Sequence, residues 1–202
     1  MASSESGRER ILEAATRLFA ALGYDGTSTR MIAEAAGLNV ATVAYHVGGK
    51  RDLYLAVMER AHEVERTALE GALSRITPDA EGLLSLVDAY VEFCMQRPEI
   101  PALWMHRWLS DASDVVHLEE QYVRPLMQMV TEAARKVVPD DVDVDYVVWT
   151  VVWCTHGFGN GGVLDTDGHR HGVDDPQAVA RFRRHMRRTV ALAIGAPDQA
   201  GG

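Results

Sequence analysis

Residues 28–50, STRMIAEAAGLNVATVAYHVGGK, constrain this chain more than any other stretch. They spell two short amphipathic helices that meet at one glycine. Ser28, or Thr27 before it, caps a first helix whose inward side is Met31, Ile32, Ala35 and Ala36, and Gly37 closes it. Asn39 caps a second helix that runs only to about His46, where Val47-Gly48-Gly49 breaks it. Helices this short are not stable alone, so they must be seated on a scaffold. Val43 points toward that scaffold, which leaves Val40, Ala41, Thr42, Ala44, Tyr45 and His46 on the outside.

The scaffold is legible on both sides. Ile11, Leu12, Ala15, Leu18, Phe19 and Leu22 repeat at helical spacing from Gly7 onward, and Gly23 stops that helix. Residues 24–27 read as a turn and 1–6 as a small polar tail. Lys50 or Arg51 opens a long helix to about residue 74. Pro78 suits the first turn of the next, which carries Leu83, Leu84, Val87, Tyr90, Val91 and Cys94. Arg97-Pro98-Glu99-Ile100-Pro101 interrupts, and a short aromatic helix follows over 102–109. A longer helix is predicted over 114–138, kinked at Pro125. The segment 142–162 is β-branched and aromatic, which favours a strand locally, but its length and the lack of a partner strand predict a buried helix. Residues 165–174 read as a mobile loop. Asp175-Pro176 starts a last helix with Val179, Phe182, Met186, Val190 and Ile194 on its apolar face, and 196–202 form a tail. The fold class is all-α: an N-terminal three-helix module over 1–50 with a helix-turn-helix, then a larger helical domain over 51–202.

Read globally, the charge of the chain argues against a nucleic-acid partner. The 202 residues carry a net charge of −9. Residues 1–52 hold six Lys/Arg and six Asp/Glu, so the acidity belongs entirely to 53–202. A neutral head on an acidic body suits selective contact with duplex DNA better than indiscriminate coating. In such contact the second short helix would lie in the major groove. Val40 and Ala41 suit thymine methyls, the Thr42 hydroxyl reaches a phosphate or base edge, and Tyr45 and His46 reach the sugar-phosphate rail. Arg30 can fork onto guanine, and Lys50 adds charge to backbone amides at a helix start.

At these residues the chain resembles the TetR family of transcriptional regulators. The resemblance rests on TSTRMIAEAAGL at 27–38, AYHV at 44–47 and GGKRDLY at 48–54, and covers roughly 8–60. Further along it extends to helix lengths, the Arg97-Pro98-Glu99 break and the YVRPL run at 122–126. It implies DNA contacts at Arg30, Val40, Ala41, Thr42, Tyr45, His46 and Lys50. Many members have a tyrosine where this chain has Ala44, so one phosphate contact is absent here. The resemblance also implies a homodimer built mainly from the last two long helices. The sequence agrees independently, because 142–158 is apolar on nearly every side and so needs a second packing partner. Two heads one or more DNA turns apart read a palindromic operator. The implied function is a ligand-responsive repressor, released by a small and largely apolar molecule.

Candidate ligand contacts are Trp104, Trp108, Tyr122, Met127, Trp149, Trp153 and His156, a set of large apolar side chains with a polar group to orient a guest. Gln128, Thr150, His106 and Asn160 are further polar candidates. The DTDGHRH run at 165–171 offers carboxylates and imidazoles, but a Gly-containing loop holds ligands weakly, so no metal or other cofactor is expected. No phosphate loop, dinucleotide fingerprint or nucleophile elbow occurs, and the chain is not read as an enzyme. The rival is a helical enzyme or small-molecule carrier in which the N-terminal helices only pack. No uncharged run reaches the ~18 apolar residues of a membrane span, the nearest candidate, 142–164, being interrupted by Asp143, Asp145, His156, Asn160 and four glycines. Cys94 and Cys154, both in apolar helix-like patterns, read as reduced, buried thiols of a cytoplasmic protein.

Overall fold

The structure is a computed structural model that describes residues 2–109 and 111–196; the remainder of the expected C-terminal tail, 197–202, lies outside the described residues. The chain divides into two compact units, Met1–Val64 with Glu99–Leu118, and Glu65–Pro98 with Glu119–Gly202.

The first unit holds α1 (Ala2–Gly26), α2 (Thr29–Ala36), α3 (Val40–Val47), the start of α4 (Lys50–Leu73) and α6 (Glu99–Trp108). Its core is Ile11, Phe19, Ile32, Val43, Leu53, Tyr54, Val57, Met58 and Leu103. Phe19, Tyr24 and Tyr54 form an aromatic cluster, with the Phe19 and Tyr54 rings edge to face at 5.2 Å. α1 begins at Ala2, earlier than the expected Gly7, and is broken at Gly23 (φ 74°, ψ 173°) where the sequence placed its stop. Leu22, expected on the apolar stripe, is exposed because it lies at that break. Ala33, rather than Ala35, completes the buried side of α2. α6 starts at Glu99, three residues before the expected position, with Pro101 accommodated in its first turn.

The second unit contains the rest of α4, then α5 (Ala80–Gln96), a π-helical turn (Glu119–Val123), α7 (Arg124–Ala134), α8 (Val144–Gly161), a two-stranded antiparallel hairpin of β1 (Val163–Leu164) and β2 (Arg170–His171), and α9 (Pro176–Ala193). Asp79 caps α5 by accepting from the Gly82 amide at 2.8 Å, so Pro78 precedes the cap instead of entering the first turn. The predicted helix over 114–138 is shorter. Its first stretch is the π-helical turn, which runs directly into α7, and Pro125 is the second residue of α7.

α8 is helical as predicted. Asp143 accepts from the Asp145 and Tyr146 amides, and Val148, Val151, Val152, Thr155 and Phe158 bury one face. That burial outweighs the local strand preference of the β-branched residues. Phe158 stacks on Phe182 of α9 at 4.4 Å. The expected loop after α8 is the hairpin, closed by Asp165, whose Oδ1 accepts from the Asp167 and His169 amides. Arg187 ties α9 to α5 through Asp88 (2.8 Å) and Glu81 (2.5 Å). No helix among the described residues is long and apolar enough to cross a membrane.

Candidate nucleic-acid interface and internal cavity

Local chemistry sets the turn between α2 and α3. The Ser28 hydroxyl accepts from the Met31 amide at 3.2 Å and starts α2. Gly37 is left-handed (φ 65°, ψ 38°), and the Leu38 amide turns back to the Ala33 carbonyl at 2.9 Å. Arg10 of α1 donates to the Ala36 carbonyl, satisfying another group at that helix end. Asn39 then caps α3, its Oδ1 accepting from both the amide (2.8 Å) and the hydroxyl (3.0 Å) of Thr42.

Val43, at 1 % exposure, anchors α3 into the first unit, and the opposite face is presented outward. Val40, Ala41 and Ala44 are exposed, and Tyr45 is 86 % exposed. Thr42 is half-buried, with its hydroxyl proton directed to Asn39 and its oxygen left to accept. His46 is half-buried and lies against Gly7 of α1, where a Cβ would meet its Nε2 at 3.2 Å. Arg30 is exposed in the first turn of α2. Lys50 opens α4 with its Nζ 4.2 Å from the centre of the Tyr24 ring. Asp52 accepts from the Gly49 amide at 3.0 Å, so the α4 N-terminus already faces one carboxylate. The fold therefore brings Val40, Ala41, Thr42 and Tyr45 onto the outer side of one short helix. Tyr24, the platform under Lys50, carries no sequence pattern that would single it out.

The second unit holds a partly open cavity of about 50 Å³ lined by apolar atoms from five helices, including Leu69, Leu83, Tyr90, Met127, Val130, Val148, Val151 and Val190. A more open groove of about 400 Å³ is lined by Leu73, Ile76, Pro78, Leu83, Met129, Lys136 and Val137, and Leu83 is common to both. Of the seven ligand candidates, Met127 alone lines the cavity. Trp104 is buried and Trp108 half-buried in α6 of the first unit. Tyr122 is buried in the π-helical turn. Trp149 and Trp153 pack together at 5.4 Å on α8, with Tyr146 beside Trp153. Trp153 is 51 % and Tyr146 66 % exposed, so this aromatic stripe faces outward. Cys154 on the same helix is exposed, contrary to the expectation of two buried thiols; Cys94 is buried, and both are free.

His156 is buried behind the cavity wall. Its Nε2 lies 2.9 Å from the Tyr90 hydroxyl, which also bonds the Glu65 carboxyl. Burial pushes Glu65 up to about 7, the Tyr90 bond pulling it partly back, and burial holds His156 down to about 4. Glu65 escaped notice because a lone glutamate on an exposed-looking stretch of helix carries no periodic signal.

In the hairpin, His171 bridges Asp175 (Nδ1, 2.9 Å) and Asp165 (Nε2, 3.0 Å). Those bonds raise its pKa and lower those of both carboxylates. Ligating atoms of Asp165, Asp167 and His169 lie within 4.8 Å of one another. Asp165 is already engaged with two backbone amides and His171.

Residues 11–57 match the family described as bacterial regulatory proteins, tetR family. The chain is 38 % identical over 136 residues to a probable HTH-type transcriptional regulator, YttP of Bacillus subtilis, covering 65 % of this chain and 66 % of that protein. It is 36 % identical over 121 residues to the HTH-type transcriptional repressor AcnR of Corynebacterium efficiens, covering 56 % of this chain and 64 % of AcnR. The chain thus spans about two thirds of the length of each. Among solved structures it resembles AibR, crystallised with isovaleryl coenzyme A and operator DNA. The TM-score is 0.69 at 16 % identity, with 95 % of this chain and 100 % of AibR covered.

Proposed function

The chain belongs to the TetR family of bacterial regulatory proteins, and from that premise we propose that it is a ligand-responsive transcriptional repressor acting in the cytoplasm. Residues 1–50 are the DNA-reading head, and 51–202 bind the effector and form the dimer. The observation that carries this reading is the outer face of α3. Val40, Ala41, Thr42 and Tyr45 stand outward while Val43 and the Asn39 cap hold the helix still. An enzyme whose N-terminal helices only packed would have no use for so apolar an exposed face on so short a helix. Arg30 reads a base edge, and His46 and Lys50 approach phosphates.

A palindromic operator requires two heads. The exposed Tyr146 and Trp153 on α8, with Leu192 on α9, supply an apolar surface suited to a second copy of the chain. The effector is small and apolar, because the cavity offers it only carbon, the Tyr90 hydroxyl being turned to His156. At about 50 Å³ the cavity is far below the ~300 Å³ and more of a small-molecule site. A guest must therefore enlarge it, and that enlargement separates the free and liganded states. The guest releases DNA only through its different affinity for those states, a tenfold loss of operator binding needing about 1.4 kcal/mol. AibR, seen with both an acyl coenzyme A and operator DNA, supports a fold that carries both partners.

Selection of duplexes from random DNA tests the reading. The wild-type chain is expected to enrich one palindrome and bind it with steep salt dependence. Arg30→Ala and Thr42→Ala flatten the sequence preference without changing the fold. Enrichment of no sequence by a folded dimer would sink the proposal.

A further inference from the structure

The geometry at the break in α1 points to Asp111 as a positioning residue for the DNA-reading head, and we infer that it sets where Lys50 is held. The inference rests on the operator reading above. At Gly23 the backbone leaves the helix, so the next amides have no intrahelical partner. Both are taken by one carboxylate from far along the chain. Asp111 Oδ2 accepts from the Tyr24 amide at 2.5 Å and Oδ1 from the Asp25 amide at 2.8 Å. The approach is close enough that a Cβ on Gly23 would lie 3.0 Å from Asp111 Oδ2. Tyr24, pinned in this way, turns its ring beneath the Lys50 ammonium, 4.2 Å from the ring centre. Asp111 thus reaches the first residue of α4 through a single side chain.

Asp111 is itself held. His106 Nε2 is 3.1 Å from the Ala20 carbonyl, and Arg107 donates to the Ala112 carbonyl, where Ala112 is left-handed (φ 53°). His117 is left-handed as well (φ 71°). Two such non-glycine residues persist only when their surroundings hold them. The stretch Glu99–Leu118 belongs to the first unit, yet the chain on each side of it belongs to the second. A displacement of this stretch when the cavity fills would move the carboxylate, then Tyr24, then Lys50. The stretch that carries Asp111 is joined by the chain to the second unit at both ends, a connection besides α4.

The test uses the full-length dimer and the duplex enriched from random DNA, titrated across salt concentrations. Lys50→Met is expected to lower the slope of log affinity against log salt by about 0.9 per protomer, the loss of one phosphate contact. Asp111→Ala should lower it by the same amount, and Asp111→Asn, which keeps one acceptor oxygen, by less. Combining either with Lys50→Met should add nothing further. A merely structural role for Asp111 predicts lower thermal stability with an unchanged slope, and that result overturns the inference. Losses that multiply with Lys50→Met overturn it too, as does a wild-type slope in Lys50→Met itself. Asp111→Asn carries the test if Asp111→Ala does not fold. Failure of the wild-type chain to enrich any duplex sinks the operator reading instead, before any Asp111 variant is made.

Discussion

The α2–α3 pair and the cavity-bearing second unit are both helical, but they are held together differently. In α2–α3 nearly every determinant lies within four residues of what it determines: Ser28 with Met31, Gly37 with Glu34, and Asn39 with Thr42. In the second unit the determinants come from distant parts of the chain. Tyr90 meets His156, Arg187 meets Glu81 and Asp88, and the cavity takes its walls from five helices. The lesson is one of mechanics. A locally built head keeps its shape while it is moved, as a DNA reader must. A unit built from long-range packing can trade one arrangement for another when a guest enters.

The largest expected effect is at Leu83, which lines both the cavity and the open groove. Leu83→Ala should cost about 3 kcal/mol of unfolding free energy in denaturant titration. It should also raise the uptake of a small apolar probe such as hexanol, seen as a larger thermal shift than in the wild type. Unchanged uptake would mean that the two spaces do not join there.

Glu65 and His156 come next, and their signs oppose each other. Glu65 titrates near 7 when folded against an ordinary 4.5, so its contribution is complete below about pH 4.5 and lost as pH rises to 7. His156 titrates near 4 against an ordinary 6.5, so its contribution is complete above 6.5 and lost as pH falls to 4. Each amounts to about 3 kcal/mol, and the two contributions nearly cancel over that range. Glu65→Gln should unmask the acid-side loss, read as unfolding free energy against pH. A flat profile in that variant would break the contrast between the two buried groups.

Asn39→Ala is a smaller perturbation, about 1 kcal/mol of stability. If α3 depends on local capping as argued, amide exchange should quicken over Val40–Val47 and leave α8 unchanged. Exchange that quickened equally in α8 would erase the distinction between the regions. The smallest effect concerns the hairpin. His171, bridging two carboxylates, stays protonated above its ordinary 6.5, so β1–β2 amide protection should hold below that value and decline as pH climbs through the raised pKa. His171→Asn should remove the pH dependence.

Legibility followed the same divide. The caps at Ser28, Asn39 and Asp175 and the stop at Gly37 were readable because each couples a residue type to a backbone geometry a few positions away. The helical state of 144–161 was readable from its length. Pro125, expected to kink one long helix, stands just after a π-helical turn that runs into α7, and no sequence signal announced that turn. The tryptophans were grouped by size and polarity, yet Trp104 and Trp108 lie in the first unit and Trp153 faces outward. A buried aromatic and an interface aromatic look alike in a string of letters. Asp111 and Glu65 gave no signal, since an isolated acid is ordinarily solvated.

Sequence alone determined the helix-turn-helix and the residues on its outer face, because hydrogen bonds between near neighbours and a 3.6-residue period suffice to specify them. Tertiary structure decided which far-apart side chains share a cavity wall, which carboxylate braces the break in α1, and which aromatics are left facing outward. Those outcomes depend on how several helices fill space together, and close packing couples every such choice to all the others.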